Sequence, residues 1–114
     1  MSLKHFRLAV LGLAAAAIGV GAVAQKKYDP GADDKEIKVG HLNPYSGPAS
    51  AYGAIGKAIG AYFDKINAEG GINGRKVKFI SLDDGYNPAK TVEQARKLVE
   101  EDEVLLVFQP LGTP

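Results

Sequence analysis

Cysteine and tryptophan are both absent from the 114 residues, and only two histidines are present. The lack of cysteine excludes disulfides, thiolate nucleophiles and cysteine-ligated metal sites. Of the histidines, His5 lies in a segment that we expect to be removed, which leaves His41. A hydrolase triad or a metal site needs several such groups close together, and the sequence has no such cluster and no nucleophile motif. We therefore expect no enzyme, no cofactor and no metal site, and we interpret His41 as an ordinary strand residue.

Long runs of basic residues are also missing. The formal net charge is +1, and no basic run is longer than Lys26-Lys27. A nucleic-acid-binding protein usually concentrates its basic residues on one face, so we expect no nucleic-acid partner. With 46% hydrophobic and 24% charged residues, the composition is that of a folded domain or of a piece of one.

The first 24 residues differ in composition from the rest. Lys4 and Arg7 precede an uncharged stretch from Leu8 to Ala24, which ends in the small-x-small triplet Ala22-Val23-Ala24. A basic N-terminal region, a short apolar stretch and a cleavage site of small residues are typical of a secretory signal peptide. A membrane anchor is the alternative, but the stretch is short for a bilayer and rich in Ala and Gly. We therefore expect residues 1–24 to be a cleaved signal peptide and the protein to be exported.

The remaining chain alternates between two kinds of hydrophobic period. Residues 25–35 are polar and contain Pro30 and Gly31, so we interpret them as a leader into the domain. Alternating and β-branched residues predict strands at residues 36–42, 76–83 and 104–108, the last one covered on both faces. Spacings of three and four predict a helix from about Ala51 to the glycines at 70 and 71, and a second helix that Asn87 caps and Pro88 begins. The predicted apolar stripes are Tyr52, Ile55, Ile59, Tyr62, Phe63 and Ile66 in the first helix and Val92, Ala95, Leu98 and Val99 in the second.

This order of elements predicts an α/β fold, a parallel βαβαβ unit over residues 36–114. In such sheets, ligands bind outside the carboxyl ends of the strands. Those ends are residues 43–52, 83–87 and 109–114. Three strands and two helices make a thin core with an exposed edge strand, so we expect the chain to be a fragment of a larger lobe.

The first strand end carries the strongest candidate residues. Tyr45, Ser46 and Tyr52 place hydroxyls and aromatic faces just before a helix N-terminus, where free N–H groups favour a carboxylate. An equally good alternative is that Tyr52 begins the apolar stripe of the helix and belongs to the core. At the second strand end, we expect one carboxylate of Asp83-Asp84 to accept a hydrogen bond from the loop before Asn87. No phosphate-binding or dinucleotide-binding fingerprint occurs, and the glycines at 53, 56 and 60 are spaced for helix packing.

Several stretches, in the same order, resemble the periplasmic leucine/isoleucine/valine-binding family. They are IKVG from Ile37, SGPxxxYG from Ser46 to Gly53, INAEGGING from Ile66 to Gly74, DDGYNP from Asp83 to Pro88 and ARKLV from Ala95 to Val99. The resemblance implies a type I solute-binding protein of an ATP-driven importer, with two α/β lobes that close around a ligand in the periplasm. Its partners would be a small-molecule ligand and an ABC permease in the inner membrane.

The resemblance also implies two ligand contacts in this part of the family's first lobe. Tyr52 matches the residue that packs against the ligand, and Thr113 matches a hydroxyl residue that meets the ligand carboxylate. The segment Gln109–Pro114 departs from the serine-rich turn of amino-acid binders, and relatives with similar loops bind aromatic or other carboxylates. With Tyr45 and Ser46, these residues form the expected binding set for a branched-chain amino acid or a related carboxylate. The alternatives are a secreted sensory or receptor module of the same fold, and an exported α/β enzyme whose catalytic residues lie beyond residue 114.

Overall fold

The computed structural model describes residues 27–114, so the predicted signal peptide, residues 1–24, lies outside the described residues. It confirms the predicted parallel α/β fold, with three strands in the order β2-β1-β3. The elements are β1 (Glu36–Asn43), α1 (Gly53–Ala68), β2 (Lys76–Asp83), α2 (Pro88–Arg96) and β3 (Leu106–Val107). A 3-10 turn at Ser50–Tyr52 precedes α1, and a wide helical turn at Lys97–Glu101 continues α2. Within residues 27–114, no helix combines the length and hydropathy needed to cross a membrane.

The central strand β1 determines which residues meet at the ends of the sheet. Its register with β2 runs from Glu36 opposite Lys76 to Asn43 opposite Asp83. The apolar core around it consists of Val39, Leu42, Val77 and Leu98. Because β1 and β2 end at the same level, the segments that follow them begin side by side.

The polar residues before β1 fold back onto the sheet. The Lys38 amide donates to the Gly31 carbonyl oxygen at 2.7 Å. One carboxylate oxygen of Asp33 accepts from the amides of Lys35 and Glu36 at 2.6 and 2.7 Å. These bonds form the turn that leads the chain into β1.

Helix α1 packs on the sheet through glycines. Gly53 and Gly56 are buried, and a Cβ atom at Gly60 would lie 3.7 Å from the Phe79 ring. The prediction that these glycines serve helix packing is therefore confirmed. The predicted apolar stripe was wrong at three positions, because the glycine row faces the sheet and turns the neighbouring row outward. Those exposed residues are Tyr52, Ile55 and Tyr62.

The end of α1 is fixed to the outer edge of β2. The Asn67 side chain donates to the Val77 carbonyl oxygen at 2.8 Å and accepts from the Val77 amide at 2.7 Å. These two hydrogen bonds pair backbone groups that an edge strand otherwise leaves open. Gly71 then turns the chain at φ 80°, and a side chain there would overlap the Arg75 carbonyl group.

Helix α2 begins as predicted. The Asn87 side chain accepts from the Lys90 amide at 3.1 Å, and Pro88 occupies the first helical position. Of the predicted buried stripe, Leu98 is fully buried, but Val92 and Val99 are 56% and 59% exposed. Val92 lies in α2 and Val99 in the wide turn that continues it, and both side chains point away from the packed face that carries Leu98.

Strand β3 is shorter and more exposed than predicted. Its pairing with β1 covers only Leu106 and Val107, opposite Val39 and Gly40. The expectation that this strand is covered on both faces was wrong, because residues 105–108 are all exposed. Among the described residues, β3 has β1 on one side and no strand on the other.

Candidate ligand-binding edge

The three segments that follow the strands meet at one edge of the sheet. Asn43 and Asp83 are partners in the β1–β2 register. The third segment joins them because the Phe108 amide donates to the Gly40 carbonyl oxygen at 2.7 Å. Farther along, the Leu111 amide donates to the Leu42 carbonyl oxygen at 3.0 Å. The predicted gathering of residues 43–52, 83–87 and 109–114 is thus what the fold produces.

Asp83 connects the first segment to the second. One of its carboxylate oxygens accepts from the amides of Tyr45, Ser46 and Gly85 at 2.8, 3.1 and 3.0 Å. The other accepts from the Ser46 hydroxyl at 2.5 Å and from the Lys90 ammonium at 3.1 Å. These bonds, above all the one from the Ser46 hydroxyl, hold the pKa of Asp83 well below its usual range. The carboxylate is therefore charged at neutral pH.

Tyr45 turns its hydroxyl inward from the first segment. The hydroxyl lies 2.5 Å from the Ser81 hydroxyl of β2, and the ring lies against Gly53. A side chain at Gly56 would overlap the Tyr45 hydroxyl, so the ring occupies the space that the glycines leave. Tyr45 thus joins α1 to the sheet beneath the edge.

His41 continues this hydrogen-bonded row toward β1. Its Nδ1 atom lies 2.7 Å from the Ser81 hydroxyl oxygen, and its ring packs on Phe79 with centroids 5.3 Å apart. The side chain is fully buried, and its Nε2 atom has no hydrogen-bond partner among the described residues. Burial lowers the pKa of His41, and the Gln109 backbone and the Asp84 charge offset part of that effect. His41 is therefore neutral at pH 7 and serves the packing below the edge.

Tyr52 lies at the start of α1 with its side chain 57% exposed. Its carbonyl oxygen accepts from the buried Asn43 side chain at 3.3 Å, which ties the helix start to the end of β1. The Asn43 Oδ1 atom is buried and has no protein partner among residues 27–114. No side chain caps the 3-10 turn or α1, and no acidic residue lies in the first turn of either.

Thr113 lies against the second segment. Its hydroxyl is 3.5 Å from the Tyr86 hydroxyl, and Gly112 packs directly on the Tyr86 ring. Tyr86 has φ 57° and is fixed by Asp84, whose carboxylate accepts from the Tyr86 amide at 2.9 Å. The other Asp84 oxygen accepts from the Thr91 hydroxyl of α2 at 3.1 Å. The expected bond between an aspartate and the loop before Asn87 is found at both aspartates, from the Gly85 amide to Asp83 and from the Tyr86 amide to Asp84.

The structure arranges the four predicted site residues in two ways. Tyr45 and Ser46 are joined to β2 through Ser81 and Asp83, whereas Tyr52 and Thr113 present exposed side chains at the same edge. Within residues 27–114, no hydrogen bond joins Tyr52 to Thr113. Sequence reasoning missed Tyr86, although it lies inside the DDGYNP stretch that carried the family resemblance.

No group of three His, Asp or Glu side chains in the part of the chain that the structure describes is arranged to hold a metal ion. The polar groups at the edge are instead hydroxyls, amides and the carboxylates of Asp83 and Asp84, of which Asp83 is paired with Lys90. Such groups bind and orient a ligand by hydrogen bonds.

Comparison with known proteins gives a consistent picture. A family model described as "Periplasmic binding protein" matches residues 36–114. An amino acid binding protein of Pseudomonas aeruginosa is 31% identical over 108 residues, which are 94% of this chain and 27% of that protein. A solved structure described as "a possible leucine/isoleucine/valine-binding protein" from Rhodopirellula baltica is 38% identical with a TM-score of 0.64. That match covers 72% of this chain and 22% of the solved one.

Two similar structures contain ligands. The branched-chain amino acid substrate-binding protein LivJ of Streptococcus pneumoniae, solved with isoleucine, is 31% identical with a TM-score of 0.62. That match covers 67% of this chain and 22% of the Streptococcus pneumoniae protein. A solute-binding protein of an ABC transporter from Rhodopseudomonas palustris, solved with 3,4-dihydroxybenzoic acid, is 25% identical with a TM-score of 0.55, and the match covers 63% of this chain and 20% of that one.

The family model extends over the whole described sheet, but each match covers only part of the relative. The chain spans about a quarter of the length of the curated relatives it matches. Its homologues are substrate-binding proteins of ABC transporters. The chain belongs to the periplasmic binding protein family and is of its leucine/isoleucine/valine-binding type.

Proposed function

We propose that this chain provides the first part of a ligand-binding lobe in the extracytoplasmic substrate-binding component of an ABC importer. The supporting observation is the edge itself, where the three strand-end segments meet and expose the side chains of Tyr52 and Thr113. Carboxyl ends of parallel strands are where α/β sheets bind ligands. The family membership agrees with a binding role.

The proposed ligand is a small carboxylate, either a branched-chain amino acid or an aromatic acid. The ligands in the two related structures, isoleucine and 3,4-dihydroxybenzoic acid, both carry a carboxylate. At this edge the Thr113 hydroxyl is the side-chain donor for it, the dipole at the start of α1 favours its charge, and the Tyr52 ring covers the apolar part. Tyr45 and Ser46 complete the set by holding the first segment in place beneath the ligand.

Capture would need a second lobe opposite this edge. Closure of two lobes around the ligand would present the complex to a permease in the inner membrane. This proposal includes export to the periplasm with removal of residues 1–24, which leaves residues 25–35 as the leader and 36–114 as lobe.

The experiment starts with the protein isolated from the periplasm of its native host. Intact mass should place the N-terminus at Gln25 and should exceed the 12.0 kDa of the 114 residues if further lobe sequence is present. Calorimetry of that protein with isoleucine, leucine and 3,4-dihydroxybenzoate should show one-to-one binding. The 114-residue chain, measured in parallel, should bind weakly or not at all, because one partial lobe cannot enclose a ligand. If the periplasmic protein binds none of the carboxylates tested, the proposal is contradicted. Micromolar affinity of the 114-residue chain for one of these carboxylates would contradict the need for a second lobe.

A further inference from the structure

Asp83 has more hydrogen-bond partners than any chain turn of its own requires. Five donors surround its carboxylate: the amides of Tyr45, Ser46 and Gly85, the Ser46 hydroxyl and the Lys90 ammonium. Two of the three amides are 37 and 38 residues away in the chain. Convergent backbone amides form an anion-binding concavity. In this protein, the concavity is filled by a carboxylate of the protein itself.

The first two segments are also in direct backbone contact beside Asp83. Gly47 has φ 76°, and a Cβ atom there would lie 2.8 Å from the Gly85 carbonyl oxygen. The two loops therefore approach without side chains between them, and the Asp83 carboxylate is what joins their amides. From Ser46 the chain runs through only a short loop to the 3-10 turn at Ser50–Tyr52. The placement of Tyr52 thus depends partly on where Asp83 holds Ser46, together with the bond from the Asn43 side chain to the Tyr52 carbonyl oxygen.

We propose that Asp83 is a positioning residue of the ligand edge, acting as an internal carboxylate that fixes the first segment. It occupies the donors of Tyr45 and Ser46, so the carboxylate of a ligand is bound by other groups, among them the Thr113 hydroxyl. Lys90, 3.1 Å from the second Asp83 oxygen, neutralises the internal charge and so reduces repulsion of an incoming anion. The part that concerns ligand binding depends on the proposed function, and the part that concerns the loop does not.

The loop part is tested by amide hydrogen exchange in the 114-residue chain. In Asp83→Ala, the amides of Tyr45, Ser46 and Gly85 should exchange at least about tenfold faster, because their acceptor is gone. Added formate should restore most of the protection by filling the empty concavity, whereas chloride at equal ionic strength should not. In Asp83→Asn, which keeps one acceptor oxygen, the exchange rates of these amides should lie between those of the unsubstituted chain and those of Asp83→Ala. Asp64→Ala, which removes an exposed carboxylate of α1, is the charge-matched control and should leave these amides unchanged.

Two outcomes would overturn the loop part. One is unchanged exchange at Tyr45 and Ser46 in Asp83→Ala. The other is uniform acceleration that includes the β1 amides of Val39 to Leu42 and is not reversed by formate, since that result means a general loss of stability.

The ligand part is tested in the periplasmic protein by calorimetry with isoleucine and 3,4-dihydroxybenzoate. Asp83→Ala should weaken binding at least about tenfold, and formate should restore it. If formate instead competes with the ligand, the concavity is a ligand subsite and the proposed division of donors is wrong. If the loop results hold while affinity is unchanged, the positioning role in ligand capture fails. Absence of binding by the unsubstituted protein contradicts the proposed function and leaves the loop result standing.

Discussion

At the scale of single residues, the least expected feature is a histidine buried without charge. His41 is fully enclosed between Phe79 and the Ser81 hydroxyl, and its ring lies close to Gly56. A strand pattern shows only that position 41 belongs to β1. Its neighbours come from β2 and α1, so the environment that lowers its pKa is a property of the packed molecule.

This burial predicts a loss of stability on mild acidification. The folded-state pKa of His41 lies below its ordinary value of 6.5, so the unfolded chain binds the proton more readily. The stability that depends on a neutral His41 is fully present above about pH 6.5. It is lost as the pH falls through the lowered folded-state pKa. Urea unfolding should show that the free energy of unfolding decreases as the pH is lowered from 7.5 to 5.

The matched variant is His41→Gln, which keeps a polar side chain but does not titrate. Its free energy of unfolding should be flatter over the same pH range, in which the carboxylates stay ionised. An equally steep fall in the variant would show that another group causes the pH dependence.

The exposed residues at the edge predict a different kind of effect. Tyr52→Ala and Thr113→Ala should each weaken carboxylate binding by the periplasmic protein about tenfold, about 1.4 kcal/mol, with little change in melting temperature. Tyr62→Ala is the control, because Tyr62 is similarly exposed, at 59% compared with 57% for Tyr52, and lies in α1, which begins directly after Tyr52. Calorimetry should separate the three variants. Equal weakening in Tyr62→Ala would indicate a general effect of aromatic loss on α1.

At the scale of elements, the contact between α1 and the sheet is closest at one helical turn. Gly56 lies over the Tyr45 hydroxyl, whereas a Cβ atom at Gly60 would make ordinary contact with Phe79 at 3.7 Å. The same substitution therefore has opposite expected effects at two glycines one turn apart.

Gly56→Ala should destabilise the protein by about 1–3 kcal/mol, because Tyr45 has to move from its place against α1. Gly60→Ala should be neutral or stabilising by up to about 1 kcal/mol, because alanine favours a helix and meets no clash. Chemical unfolding of both variants tests the pair. Equal stabilisation by both would show that Tyr45 does not pack as closely as described.

At the scale of the whole molecule, the sheet ends in an apolar edge. Leu106 is 47% exposed and Phe108 41% exposed, while the far side of β3 has no strand partner among residues 27–114. Beside it lies a groove of about 470 Å³, lined by Ala58, Ile59, Tyr62, Phe63, Phe108 and Gln109. Unpaired backbone groups beside exposed apolar side chains favour association with other strands.

The 114-residue chain should therefore self-associate at micromolar concentration. Leu106→Lys should shift it toward monomer, because a charge on an edge strand opposes pairing. Ile72→Lys is the control, since Ile72 is 44% exposed but lies in the turn before β2. Sedimentation velocity distinguishes the three proteins. A monomer in every case would show that the edge is protected in solution.

The sequence by itself determined the features that depend on neighbouring residues. Period and turn residues predicted the βαβαβ order, the bounds of β2 and the Asn87 cap, and strand polarity predicted which segments share the edge. Helix caps and strand alternation are decided within a few residues, so a local pattern is sufficient for them. The family resemblance, carried by short stretches, was confirmed by the family model that matches residues 36–114.

Only the tertiary structure decided which groups at that edge are occupied and which are exposed. The bonds of Asp83 to Tyr45 and Ser46 join residues 38 and 37 apart, and they exist because β1 and β2 pair in one register. Likewise, the exposure of Val92 in α2 and of Val99 in the wide turn after it follows from which face of that segment packs on the sheet. Contacts of this kind depend on register and helix rotation, which a one-dimensional pattern does not specify.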